Sequence, residues 1–572
     1  MKFCCVLSVL LISAASCFSL DREAFTFTKY DLDVRLEPEQ QRLEVRGTIV
    51  LRNDSSTPQK NASLQISSSL TWRSIQAAGK PLQFVSQPYE SDIDHTGELS
   101  EAIVSLPNEI APGGTVELAI GYEGMIVRDA TRLTRIGVPN EAALHSDWDE
   151  IGKQPSAVRG VGNVAWYPIA TEAANLSEGN SLFETLGRWK RREQNAEVRI
   201  KLRYFSDDGS ALPSLLCSNV GIRFYERMSR AGAVFTECQF VPLGTHVPGF
   251  VMANYEEIDA RAVQVEYRKE HRLNAENFVK AADAVFPFIT EWFGVAHEKA
   301  EVVELFDPAA SPYENESMLL TPLGDTDPKL LQIAMVHQLT HAAFPSHRPW
   351  IYEGLAHFAQ AAYREHQENR QAALDFLGLH RSAVVAAEKA VAEQSKDAPA
   401  QDESLTATSV DEFYRSKAAY VWWMLRDMLG EDTLKNVLAS YRADDDRDPA
   451  YVQRLVEAQS KRDLRWFFED WVYHDRGLPD IRVESAFPRK ASQDNYLVTV
   501  TVENLGTAGA EVPVTVRFEG GELSQRVEVR AKGKGVVRVA IPKPPTEVVV
   551  NDGSVPESDM SNNVFKVESR KP

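Results

Sequence analysis

The stretch DPKLLQIAMVHQLTHAAFPSHRPWIYEGLAHFAQAAY, residues Asp327 to Tyr363, decides how the chain is read. Asp327 before Pro328 is a helix start: the carboxylate accepts from the first free backbone N–H groups, and the proline ring already holds φ near its helical value. Leu330, Leu331, Ile333, Ala334 and Val336 give this helix an apolar face, and Pro345 stops it. His337 and His341 stand four apart, so both rings leave the helix on one side. A second helix is expected from Pro349 to Tyr363, with Glu353 near its start. Two imidazoles from one helix and a carboxylate from the next make a three-ligand set that leaves a metal one open position. The same residues also read as two ordinary helix-face histidines and an acid favoured by a helix N-terminus. His357, one turn after Glu353, falls beside such a site or faces solvent.

This spacing resembles the gluzincin metallopeptidases, the M1 aminopeptidase family in particular. That family carries His-Glu-x-x-His and then Trp-x-x-Glu-Gly-x-Ala. Here the first motif reads His337, Gln338 and His341, and the second Trp350-Ile351-Tyr352-Glu353-Gly354-Leu355-Ala356. The resemblance implies zinc held by His337, His341 and Glu353. Only residues 342–352 separate His341 from Glu353, fewer than is usual in the family. A trimmed connecting loop costs little free energy. The second departure is chemical: Gln338 occupies the place of the general-base Glu. A carboxamide has nearly the same shape and no useful basicity, and general acid–base catalysis is worth roughly 10²–10⁴-fold. The resemblance therefore implies a folded, zinc-binding relative that is weakly active or inactive, with Glu314 or Glu316 the nearest acids able to substitute.

Two more segments carry the resemblance into the site. Ser311-Pro312-Tyr313-Glu314-Asn315-Glu316-Ser317 resembles the family's Gly-x-Met-Glu-Asn, with Glu314 and Asn315 in the matching places. In the family this Glu grips the substrate's free α-amino group, and a buried ammonium does need a carboxylate partner. The resemblance thus makes Glu314 and Asn315 substrate-binding residues, against the plainer reading of Glu314 as a loop acid. Tyr414-Arg415-Ser416-Lys417-Ala418 resembles Tyr-x-Lys-Gly with one residue inserted. The family's Tyr donates to the oxyanion of the tetrahedral intermediate, a role worth roughly 2.7–4 kcal/mol. The insertion would turn Tyr414 about 100° around a helix relative to Lys417, and the plainer reading is a helix-surface aromatic. Trp166-Tyr167-Pro168 resembles a Trp-x-Pro stretch of the family's first domain, and Leu464 to Trp471 with Gly477-Leu478-Pro479 resembles the close of its catalytic domain.

The implied fold is multidomain α+β. Residues 20–257 form an N-terminal antiparallel β domain, 258–480 a mainly helical, thermolysin-like gluzincin domain, and 481–572 a C-terminal immunoglobulin-like β-sandwich. The residues themselves agree on period. Tyr30 to Leu36, Leu43 to Asn53 and Val116 to Tyr122 alternate polar and apolar. Near Glu256 to Asp259 the period changes to about 3.6, and Asn274 to Phe293 reads as a helix that Pro287 should kink or split. Asp411 to Leu429 reads as a helix after a polar loop, Ser395 to Val410. Alternation returns at Tyr496 to Val502, Val512 to Val516 and Val536 to Ile541.

A net charge of −20 argues against nucleic acid and anionic membranes as partners. Residues 1–19 read as a signal peptide: Lys2, an apolar run from Phe3 to Ala15, then small residues. That run is too short for a membrane span. Cys17 follows Ala14-Ala15-Ser16, a lipobox without the usual Leu. The expected location is secreted or periplasmic. Cys217 and Cys238 remain after the leader, and export favours a disulfide between them over two free thiols. No Gly-x-Ser-x-Gly motif is present. Three functions stay open: a secreted zinc aminopeptidase that works despite Gln338, a pseudopeptidase that holds peptides or protein N-termini without cutting them, and a structural protein with no metal.

Overall fold

The computed structural model describes residues 20–567 except 179–180, 207–211, 218–223, 229–231, 245, 297, 395–403, 409 and 492–494. Residues 1–19, where a signal peptide is expected, lie outside the described residues, as does most of the loop expected over 395–410.

The N-terminal part is built on an eight-stranded sheet whose centre is Phe25–Glu37. Leu32, Val34 and Leu36 alternate with polar neighbours along that strand and are buried. It runs antiparallel to Arg42–Asn53 on one side and parallel to Glu197–Phe205 on the other. The sheet is therefore mixed, not antiparallel as expected. A parallel partner needs a crossover, and helix α1 (Ser181–Glu193) leads directly into Glu197–Phe205. Cys217 and Cys238 are joined by a disulfide, with Cys238 on the strand Ala233–Phe240 that borders Glu197–Phe205.

A second, five-stranded sheet begins at Glu256, where a change to the helical period is expected; the chain is still extended there, and the long helix starts only at Arg272. Glu256–Asp259 pairs antiparallel with Val263–Tyr267, which runs parallel to Ala300–Glu304, which runs parallel to Met318–Thr321. The last edge is Tyr313–Asn315, antiparallel to Met318–Thr321 with Glu314 opposite Leu319.

Two helices pack on this sheet, α2 (Arg272–Phe293) and α3 (Pro328–Ala343), and three more follow, α4 (Pro349–Gln367), α5 (Arg370–Gln394) and α6 (Ala418–Leu429). α3 packs between α2 and α4, and α4 packs on α6. Helix α2 runs unbroken through Pro287. Pro287 and Asp283, whose carbonyl the proline ring leaves unpaired, both lie on the exposed face, so water can satisfy the lost hydrogen bond. Helix α3 starts as expected: Asp327 Oδ1 accepts from the Lys329 N–H at 2.7 Å. Its expected apolar face is not one stripe. Leu330 is 58% exposed, while Met335 through Ala343 are buried on every side. A helix enclosed all round needs no amphipathic period.

Beyond Ile481 the chain forms a three-stranded sheet and a four-stranded sheet. Val498, Val500 and Val502 from one, and Val512, Val514 and Val516 from the other, are buried in an apolar core continuous with that of the helices. Among the described residues no helix is long and apolar enough to cross a membrane.

Candidate metal centre

Helix α3 brings its two histidines to one point: His337 Nε2 and His341 Nε2 lie 3.0 Å apart. Position follows from the four-residue spacing; orientation follows from packing. The His341 ring stacks on Tyr352 of α4 with centroids 3.9 Å apart. The His337 ring meets His357 edge-on at 4.9 Å, and His357 meets His380 of α5 at 5.0 Å. His357 is thus beside the pair, half-buried, rather than facing open solvent. Burial pushes its ring well below the usual histidine range, and His337 adds to that.

Two carboxylates approach. Glu353, near the start of α4, places Oε1 4.0 Å from His341 Nε2. Glu314, from the sheet edge, places Oε1 2.7 Å from His337 Nε2 and 3.1 Å from His341 Nε2. Donor atoms of Glu314, His337, His341 and Glu353 all lie within 4.8 Å of one another. Burial alone would push the His337 ring down, but the adjacent Glu314 carboxylate outweighs it and leaves the ring raised. Burial likewise pushes Glu314 up, and the two histidines more than reverse this, holding it well below the usual carboxylate range.

This set fits a divalent metal ion. Imidazole nitrogen and carboxylate oxygen are zinc donors, and bond lengths of about 2.0–2.1 Å put the ligand atoms of a tetrahedral ion about 3.3 Å apart. The observed separations bracket that value. The outer ring nitrogens, His337 Nδ1 and His341 Nδ1, are buried without a hydrogen-bond partner. The rings are therefore oriented by stacking and by what their inner nitrogens meet, without the carboxylate or carbonyl that commonly holds a metal-binding histidine from behind.

Gln338 follows His337 on α3, and its Oε1 is buried with no partner. The Asn315 side chain is engaged elsewhere. Its amide donates to Val247 O at 2.7 Å and accepts from the Val247 N–H at 3.4 Å, so it ties the Glu314 strand to the preceding chain. Glu316 pairs with His246 at 3.1 Å.

Residues 412–417 form a π-helical turn ahead of α6. Such a turn holds one residue more than an α turn. Tyr414 lines a cavity of about 210 Å³ together with Tyr352, Glu353 and Arg415. Its hydroxyl donates to Asp411, and burial, reinforced by Asp411, pushes its proton affinity up.

Two neighbours escaped the sequence reading. Arg415 Nε lies 3.3 Å from Glu353 Oε2, an ion pair without hydrogen-bond geometry. Lys190 of α1 enters the same cavity from the N-terminal part. Burial pushes its ammonium down, and Asp411 pulls the other way. Arg415 stood inside a segment already singled out; nothing near Lys190 marked it.

No protein-family model matches the chain, and no curated protein does. Among solved structures it is similar to the crystal structure of the M1 zinc metallopeptidase from Deinococcus radiodurans. The identity is 15% and the TM-score 0.45, over 81% of this chain and 97% of that one.

Proposed function

We propose that this chain is an exported, zinc-holding protein of peptidase-like design that binds peptides or protein N-termini and hydrolyses them weakly or not at all. The observation that carries the reading is Gln338, set beside the His337–His341 pair with its carboxamide oxygen buried and unpartnered. His337, His341 and Glu353 would hold the ion. A bound zinc ion supplies Lewis acidity and lowers the pKa of a coordinated water. Hydrolysis also needs a side chain that takes the water's proton and returns it to the leaving amine. Gln338 cannot do either.

The remaining residues support binding. Tyr352, Glu353, Tyr414 and Arg415 line a cavity next to the cluster, and Lys190 and Arg348 add positive charge at its wall. The disulfide supports an oxidising compartment, and with it export.

The test uses zinc-loaded, unaltered protein with amino-acid amides and short peptides, following binding and product together. Saturable binding is expected, with turnover far below the ordinary enzyme range of about 1–10³ s⁻¹. Turnover inside that range sinks the reading in favour of a working aminopeptidase and moves the general-base role to another acid.

A further inference from the structure

Glu314 is closer to the histidine pair than Glu353 is. Its Oε1 stands 2.7 and 3.1 Å from the two Nε2 atoms, whereas the Glu353 contact with His341 is 4.0 Å. An ion held by His337, His341 and Glu353 would therefore have Glu314 within reach as well, since the four donor atoms form one group.

The strand that delivers Glu314 is fixed on several sides. Tyr313–Asn315 pairs residue for residue with Met318–Leu320. Asn315 is bonded twice to Val247. Trp148 Nε1 donates to Ser311 O at 3.0 Å, and the Arg159 guanidinium lies over the Tyr313 ring at 5.5 Å. The Glu314 backbone is thus held by the sheet, and its carboxylate is directed at the histidines.

Catalytic zinc sites keep one position open for water or substrate; sites with four protein ligands are closed and structural. We propose that Glu314 is the fourth protein ligand and that the centre is closed. Two carboxylates cancel the charge of a divalent ion, which a site with one carboxylate does not. Closure also takes Glu314 away from any role in gripping a substrate's ammonium group. The closed centre rests on the zinc-holding reading above, and it removes the place for a nucleophilic water independently of Gln338.

The experiment compares the full chain with Glu314→Gln and Glu314→Asp. Zinc stoichiometry and affinity are measured by chelator competition, and cobalt-substituted protein is titrated with azide while its visible absorption is followed. Thermal melting of each variant checks folding. One zinc per chain is expected in the unaltered protein, with affinity at least about tenfold lower in Glu314→Gln. The cobalt bands of the unaltered protein should ignore azide, and those of Glu314→Gln should shift as azide enters the vacated position. The azide titration of unaltered protein needs no variant to fold. A shift there, or undiminished zinc affinity in folded Glu314→Gln, overturns closure and leaves an open three-ligand site. No zinc in the unaltered protein overturns the metal reading itself.

Discussion

Arg415 Nε stands 3.3 Å from Glu353 Oε2, while Glu353 turns Oε1 toward His341. The guanidinium's proton is held more firmly than usual, chiefly by Glu353 and against the effect of burial. Arg415 therefore acts on an ion at this site in two ways. It steadies the carboxylate, and it repels the cation. At an effective dielectric constant of about 20, two unit charges 4 Å apart interact by about 4 kcal/mol. The Arg415–Glu353 contact lacks hydrogen-bond geometry, so its steadying effect is that of a partly exposed ion pair, about 0–1 kcal/mol. Repulsion should win, though reduced by solvent because the Arg415 side chain is 42% exposed. Arg415→Gln should tighten zinc binding about tenfold, or about 1.4 kcal/mol. Chelator competition measures this, and weaker binding in the variant would show that steadying Glu353 matters more.

Gly354 sits where helices α4 and α6 meet. A Cβ there would lie 2.6 Å from Ala418 Cβ and 3.2 Å from Trp422 Cδ1. The Gly after Glu353 is thus needed for packing: a side chain there would press α4 and α6 apart at this contact. Gly354→Ala should cost about 1–3 kcal/mol and weaken zinc binding. Adding Ala418→Gly should recover part of the stability, less the roughly 1 kcal/mol that a helical glycine loses. Urea unfolding of the single and double variants decides it; a single variant as stable as the unaltered chain would refute the packing role.

Local signals placed α3 well. Asp327-Pro328 and Pro345 bound it, and the spacing of His337 and His341 put both rings on one side. What could not be read were pairings set by distant chain. The parallel register of Phe25–Glu37 with Glu197–Phe205 depends on a crossover, not on either strand's alternation. Glu314 reaches the histidines because its strand pairs with Met318–Thr321 and Asn315 anchors on Val247; the motif alone suggests a substrate contact, a substitute acid or a loop acid, none of them a place against both rings. The π turn at 412–417 shows the same limit in reverse. A residue count converts to a rotation of Tyr414 only if the turn is α-helical, and here it is not.

Glu193 closes α1 with a carboxyl that is buried and whose Oε2 has no partner. Burial pushes it up to about 8 from an ordinary 4.5, only partly offset by Arg192. Between those values the folded chain keeps a proton that the unfolded chain releases, so this group's contribution to stability is lost as pH rises toward 8 and levels off beyond it. The slope is at most about 1.4 kcal/mol per pH unit. Glu193→Gln keeps the neutral shape and removes the slope. Its urea midpoint should match that of the unaltered chain near pH 5 and exceed it near pH 8.5. Midpoints that stay parallel across this range would mean that the carboxylate is accommodated after all.

If the centre is closed as proposed, Gln338 and Glu314 are separate obstacles to hydrolysis, one by lacking a base and the other by filling the position a water would need. Removing either alone should do little. Gln338→Glu gives a base with no water to act on, and Glu314→Ala gives a water with no base. An N-acylated peptide is the right substrate, because it has no ammonium group to lose contact with residue 314. On it, each single variant should stay within about tenfold of the unaltered protein, while the double variant gains the 10²–10⁴-fold that general acid–base catalysis supplies. Such a gain is far from additive, as expected when two groups act on one step. Steady-state rates of the four zinc-loaded proteins settle the point. If Gln338→Glu alone shows the whole gain, the fourth position was open with Glu314 in place, and the missing base is the only barrier.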